Sequence, residues 1–129
     1  MSRVLFVCVG NSGRSVMAER LFLRASQGRH EARSAGSSPG KAPHPVVVDA
    51  LAEVGIDASD HVPRRLEDEA IAWADVVVAT CEDACPAVPG KRYVSWQLPD
   101  PMSRPLAEVR ALRDEIAGRV ARLAAELET

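Results

Sequence analysis

Cys8 and Arg14 are separated by five residues, Val9-Gly10-Asn11-Ser12-Gly13, and Ser15 follows the arginine directly. A thiolate is a strong nucleophile. A guanidinium is a planar fork that grips two oxygens of a tetrahedral oxyanion at once. At the two ends of a short loop, these groups can meet on one ligand, the arginine binding its oxygens and the sulfur attacking its central atom. Backbone N–H groups in such a turn can point inward, and a helix N-terminus behind them adds positive potential. Ser15 can donate to the thiolate, and Asn11 can bond across the loop and hold its shape. Gly10 and Gly13 are expected to supply the unusual dihedrals of the curl. No Gly-Lys-Ser/Thr is present, so this is not a nucleotide-binding phosphate loop. A lone cysteine would be read as a buried strand-end residue and a lone arginine as a surface one. Cys8-x5-Arg14-Ser15 between a strand and a helix weighs heavily toward chemistry.

The flanking segments supply that setting. Val4–Val9 is a continuous apolar, β-branched run of the kind a buried parallel strand requires. From Ser15 the pattern turns helical, with Met17, Leu21 and Ala25 recurring at i+4. Glu31–Ala35 reads as a short strand, and the segment from Gly36 to Pro45, rich in Gly, Ser and Pro, reads as a loop. Pro45 can start a helix through Val54, with Gly55 as its stop. A helix over Arg65–Trp73 and strands over Val76–Thr80 and Arg92–Trp96 follow, with loops over Cys81–Pro89 and Leu98–Pro105. Residues 106–127 carry the clearest helical stripe: Val109, Leu112, Ile116, Val120, Leu123 and Leu127, with Glu115/Arg119 and Arg122/Glu126 as i,i+4 pairs on the outer face. Strands alternating with helices predict an α/β fold, a single domain over residues 1–129 whose parallel sheet has helices on both faces. Ligands of such sheets sit beyond the carboxyl ends of the strands. Cys8 and Cys81 both fall just past a predicted strand end and can share that edge.

Composition narrows the function classes. Hydrophobic residues make up 47% and charged residues 26%, ordinary globular usage. A net charge of −2 gives no reason to expect nucleic acid or an anionic membrane as partner, and no apolar run is long enough to span a bilayer. The chain is expected to be cytoplasmic. An odd set of three cysteines, Cys8, Cys81 and Cys85, does not suit a closed disulfide framework and points to reactive or redox thiols, two or three of which could form a transient bridge. His30, His44 and His61 show no ligand spacing and read as surface or loop residues, so no metal site is expected.

Val4–Ser15 followed by Met17-Ala18-Glu19, together with Ser34-Ala35-Gly36 and Gly55-Ile56-Asp57, resembles the low-molecular-weight protein tyrosine phosphatase superfamily, which includes related arsenate reductases. The resemblance covers essentially the whole chain and implies a four-stranded parallel sheet. It implies Cys8 as nucleophile, Arg14 and the loop residues Val9, Gly10, Asn11, Ser12, Gly13 and Ser15 as the oxyanion cradle, and Asp100 of Asp100-Pro101 as general acid. The stretch Cys81–Tyr93, then Trp96 and Leu98–Pro101, is similar to the thiol-coupled arsenate reductases. By that similarity Cys81 attacks the Cys8 sulfur of a thiol–arsenate adduct and Cys85 resolves the bridge. Three residues separate Cys81 from Cys85, where many members have six. The implied reductant is thioredoxin, or a low-molecular-weight thiol with a glutaredoxin-like partner, with no bound cofactor. Some relatives hold potassium on an asparagine, a glutamate, a serine and an aspartate; Asn11, Glu19 and Ser34 match, but the aspartate's place holds Arg64 or a near neighbour, so no ion is expected. The alternative is a tyrosine phosphatase. Such enzymes usually place aromatic residues after the acid, where Met102-Ser103-Arg104 has none.

Overall fold

The structure, a computed structural model, describes residues 1–80 and 91–128, so Cys81 and Cys85 lie outside the described residues. Eight elements follow in order: β1 (Arg3–Cys8), α1 (Arg14–Ser26), β2 (Glu31–Gly36), α2 (Pro45–Ala52), α3 (Asp68–Trp73), β3 (Val76–Ala79), β4 (Arg92–Ser95) and α4 (Leu106–Leu127). The strands form one parallel sheet in the order β2-β1-β3-β4. The chain turns one way from β1 to β2 and the other way to β3. The carboxyl ends of β1 and β3 therefore flank a topological switch point, the usual ligand crevice of such sheets, and Cys8 is the last residue of β1.

Strand alternation builds two cores of unequal size. Val4 and Phe6 of β1 and Val76 and Val78 of β3 face α1, α2 and α4, where Phe22, Leu51 and Ile116 are fully buried. Leu5 and Val7, with Val77 and Ala79, face the smaller layer covered by α3. Both faces of the central strands are thus dry, which is why their sequences read as unbroken apolar runs. Among the described residues no helix is long and apolar enough to cross a membrane.

Element ends differ from expectation by a residue or more, for local reasons. The third helix begins at Asp68 rather than Arg65, because Arg65 bridges to Gly36 at the sheet's edge. The second ends at Ala52, and its closing turn reaches Gly55 at φ 82°, the left-handed stop that glycine allows. The outer face of α4 is more than a solvated surface. Arg113 is 9% exposed and donates to Ala50 O at 2.8 Å and Glu53 Oε1 at 2.9 Å. Arg110 grips both oxygens of Glu53, at 2.9 Å from Nε and 2.6 Å from Nη2. The two arginines clamp α4 to the end of α2.

The Arg110 hydrogen bond, the largest effect, lowers the Glu53 carboxyl from 4.5 to about 2; burial opposes it, and the Arg113 bond and both guanidinium charges add to it. A lowered carboxyl contributes stability above its unfolded pKa, and that contribution fades as pH falls toward the folded value. Glu53→Gln should therefore be less stable than the parent above pH 4.5, with the gap closing toward pH 2. The Arg110 side of the clamp is open to solvent, so added salt should shrink the gap as well. Chemical denaturation across that pH range at two salt concentrations checks both.

Candidate active site

The loop between β1 and α1 is shaped by where its carbonyls go. Ser37 N–H donates to Cys8 O at 3.1 Å, Ser38 N–H to Val9 O at 2.9 Å, Gly40 N–H to Gly10 O at 2.9 Å and His44 N–H to Ser12 O at 2.9 Å. His61 Nε2 lies 3.0 Å from Asn11 O, and Met17 N–H donates to Gly13 O at 3.0 Å. Every carbonyl from Cys8 to Gly13 is thereby drawn outward. In a planar trans peptide the next residue's N–H points the opposite way, so the N–H groups of residues 9–14 turn toward the loop's centre. Gly13, the N-cap of α1, gives the helix no side-chain cap. The first-turn amides and their share of the helix dipole are left for a ligand.

The glycines serve this loop differently from expectation. The one left-handed residue between Cys8 and Ser15 is Asn11, at φ 50°; neither Gly10 nor Gly13 has positive φ. Asparagine tolerates that conformation better than most residues. Gly13 is required for space, because a Cβ there would lie 2.7 Å from Pro101 Cγ and 3.2 Å from His44 Cδ2. The same holds at Gly36, where a Cβ would come 2.4 Å from Val9 O.

One backbone donor orients the Asn11 amide beside the sulfur. Arg64 N–H donates to Asn11 Oδ1 at 2.9 Å, which settles which end of the Asn11 amide is oxygen. Nδ2 must then be the atom donating to Ser15 Oγ at 2.8 Å. With that lone pair of Ser15 taken, its hydroxyl proton is free to point at Cys8 Sγ, 2.9 Å away. Asn11 N–H adds a second donor to the sulfur at 3.1 Å. Cys8, 3% exposed, thus sits where two hydrogen bonds stabilise a thiolate. His61 Nε2 faces Asn11 O and Oδ1, at 3.0 and 3.2 Å, so Nε2 carries the hydrogen.

Arg14, the first residue of α1, reaches across to the segment after β4. Its Nη1 donates to Leu98 O at 3.0 Å and its Nη2 is 3.9 Å from Asp100 Oδ2. Asp100 Oδ1 accepts Met102 N–H at 2.9 Å, which leaves Oδ2 as the oxygen turned toward the arginine. Pro101 is buried and packs where Gly13 has no side chain. Of the sequence-predicted site residues, Cys8 through Ser15 and Asp100 come together around one cradle. Cys81 and Cys85 lie outside the described residues.

Sequence reasoning missed His61, read as a surface or loop residue but 9% exposed and bonded into the loop. It equally missed His30, 6% exposed with Nδ1 accepting Ser2 N–H. An isolated histidine in an irregular segment carries no spacing signal that could have found either. Arg64, Leu98 and the 37–44 strap act through backbone atoms, which residue type does not reveal. At the resembled potassium site the side chains bond to protein partners. Asn11 Oδ1 already accepts two N–H groups and Glu19 Oε1 takes the Ser34 hydroxyl at 2.6 Å. Among the described residues no group of three or more His, Cys, Asp or Glu could hold a metal ion.

Burial lowers the His61 pKa from 6.5, against the Asn11 oxygen and Glu19, which favour the charged form; Arg20 and Arg64 push with burial. A base whose folded pKa is depressed stabilises the fold fully above its unfolded value and loses that contribution below it. Parent stability should thus decline as pH falls from about 6.5, while His61→Gln, which keeps a donor at the same reach but cannot titrate, declines less. Melting temperatures between pH 8 and 5 check this. Gly36→Ala should lower the urea midpoint by an amount equivalent to about 1–3 kcal/mol, the usual cost of overpacking.

Solved structures and curated relatives agree with this architecture. An arsenate reductase of Staphylococcus aureus (strain Newman) is 34% identical over 117 residues, 88% of each chain. The thioredoxin-dependent arsenate reductase of Corynebacterium glutamicum is 37% identical with a TM-score of 0.83, covering 99% of this chain; this chain spans 62% of that one. An arginine phosphatase from Geobacillus stearothermophilus superposes with a TM-score of 0.84 at 29% identity, over 99% of this chain and 94% of its own. The family model described as low molecular weight phosphotyrosine protein phosphatase matches residues 3–129, and the chain belongs to that family.

Proposed function

We propose that this protein reduces arsenate to arsenite, with Cys8 as nucleophile. Arsenate lies on the inward N–H groups and the Arg14 guanidinium, with its arsenic over Cys8 Sγ. The thiolate attacks arsenic, an As–O bond breaks, and Asp100 protonates the departing oxygen from Oδ2, the oxygen left free by the Met102 bond. Ser15 and Asn11 hold the thiolate before attack. Cys81 as thiolate then attacks Cys8 Sγ. An S–S bond forms and the S–As bond breaks with its electron pair passing to arsenic, so arsenic(V) leaves as arsenite and two thiols are oxidised. Cys85 attacks Cys81, freeing Cys8 and leaving a Cys81–Cys85 disulfide for an external dithiol.

One observation carries this reading past a phosphatase. Thr80, the residue before Cys81, donates its N–H to Val7 O at 2.8 Å, extending the β1–β3 register so that it stands beside Cys8. Cys81 follows Thr80 directly in the sequence. A hydrolase has no use for a thiol there. The arsenate reductases at 34% and 37% identity support the same reading.

Thioredoxin is the proposed donor, as the Corynebacterium enzyme is thioredoxin-dependent; a small thiol with a glutaredoxin-like protein is the alternative. The chemistry suits a reducing cytosol. The cradle would also bind phosphate, and the arginine phosphatase relative keeps hydrolysis as a second activity. Met102, 59% exposed just past Asp100, gives an aryl ring little to stack on.

Arsenate-dependent NADPH oxidation with thioredoxin and its reductase is the test. Cys8→Ser should abolish turnover, while Cys81→Ser and Cys85→Ser should each reduce it at least about 10²-fold and leave aryl-phosphate hydrolysis in place. Full arsenate turnover in both relay variants sinks the intramolecular relay. No arsenate turnover in the parent, with good aryl-phosphate hydrolysis, means a phosphatase.

A further inference from the structure

We infer that Pro101 is the positioning residue for the proton donor: its ring, seated in the notch that Gly13 leaves in the cradle wall, sets where the Asp100 carboxyl stands. This rests on the reading above of Cys8 as nucleophile and Asp100 as acid. Among the described residues from 99 to 105, Pro101 alone is buried, with exposed residues on both sides of it. A Cβ on Gly13 would lie 2.7 Å from Pro101 Cγ, 3.4 Å from Pro101 Cδ and 3.2 Å from His44 Cδ2. Two rings, one from the segment after β4 and one from the N-cap of α2, thus meet over a Cα that carries no side chain.

The seat is firm, because Gly13 is the N-cap of α1 and its carbonyl accepts Met17 N–H at 3.0 Å. What sits in it is a turn tied to itself. Met102 N–H donates to Asp100 Oδ1 at 2.9 Å, Arg104 Nε to Asp100 O at 2.7 Å and Arg104 N–H to Pro101 O at 3.2 Å. Ser103 bends the chain at φ 63°. These bonds fix the carboxyl relative to Pro101, and they stay within the turn. Toward the cradle the segment offers Leu98 O, two residues before the acid, and Asp100 Oδ2, 3.9 Å from Arg14 Nη2 on a side chain 53% exposed. An ion pair that long and that open to water holds a side chain weakly. Arg14 is also the group whose charge the oxyanion claims. The proline ring is the contact that keeps the turn against the loop once the arginine is engaged.

Proton transfer depends on placement, and a displacement of about 1 Å can cost about 10²-fold. In the step served here, the Asp100 proton passes to the departing oxygen as the As–O or P–O bond breaks. The electron pair of that bond leaves with the oxygen, and nothing is oxidised. With the ring unseated, the cradle still binds and Cys8 still attacks, but the oxygen leaves with less help. A leaving group that is stable as an anion then loses little, and one that needs the proton loses most.

The test compares two esters on the full chain: p-nitrophenyl phosphate, whose phenolate leaves readily, and phenyl phosphate, whose phenolate does not. Affinity for inorganic phosphate, by calorimetry, reports on the cradle. Pro101→Ala should lower kcat/KM for phenyl phosphate about 10- to 100-fold. It should leave p-nitrophenyl phosphate nearly unchanged and keep phosphate affinity. Gly13→Ala, which evicts the ring from the other side, should shift the ratio of the two esters the same way. Adding Pro101→Ala to it should shift the ratio no further. Equal losses on both esters in Pro101→Ala, or none on either, overturn the role. So does a loss of phosphate affinity, since the ring would then be supporting the whole loop. Asp100→Asn tests the acid itself and should show the same selective loss, larger. If it shows none, the assignment of Asp100 falls, and this role with it. Should the parent cleave neither ester, kcat/KM for arsenate in the thioredoxin-coupled assay takes their place, and equal values for parent and Pro101→Ala overturn the role.

Discussion

A ring of amide donors can face its own centre only if the carbonyls on the same peptide planes are held outside. In this protein the outside partners are supplied by three parts of the chain: the strap at residues 37–44, which the β1–β2 edge carries alongside, the buried His61 and the first turn of α1. Bonds within the loop join Asn11, Ser15 and the Cys8 sulfur, while its carbonyls are held by neighbours whose own positions are set by the sheet. This is why an eight-residue cradle depends on glycines far from it, such as Gly36.

Around the sulfur the same economy appears at the level of single protons. One backbone donor, Arg64 N–H, sets the direction of the Asn11 amide and so of its bond to the Ser15 hydroxyl, whose proton is then free to point at Cys8. A hydroxyl alone could donate or accept, and a side-chain amide alone could lie either way round. Linked to a peptide N–H, which can only donate, the Asn11 amide has one orientation, and the Ser15 hydroxyl proton is left free to point at the sulfur.

The fold was legible because its signals are carried by apolar residues. Val4–Cys8 and Val76–Thr80 are buried on both faces, and the α4 stripe from Val109 to Leu127 is long enough for its period to be unmistakable. The cradle was legible from Cys8, Arg14 and Ser15, whose types the chemistry demands. The origin of its curvature was not legible. Glycine was the natural suspect for the left-handed residue, yet Asn11 takes that conformation because its side chain is tied at both ends, and Gly13 is small because Pro101 needs the room. His61 escaped notice because a histidine's burial depends on the chain that folds over it, and nothing local encodes that. The Arg14–Leu98 bond, made to a carbonyl, leaves no trace in residue type at all.

The strap also separates what must stay constant from what can vary. Because the loop is held through main-chain oxygens, the side chain of Val9, 39% exposed at the rim, contributes nothing to its shape. A lineage could exchange that side chain, and with it the surface offered to whatever the oxyanion is attached to, without disturbing the amides beneath. Substrate preference could drift by single substitutions on a scaffold that never has to be rebuilt.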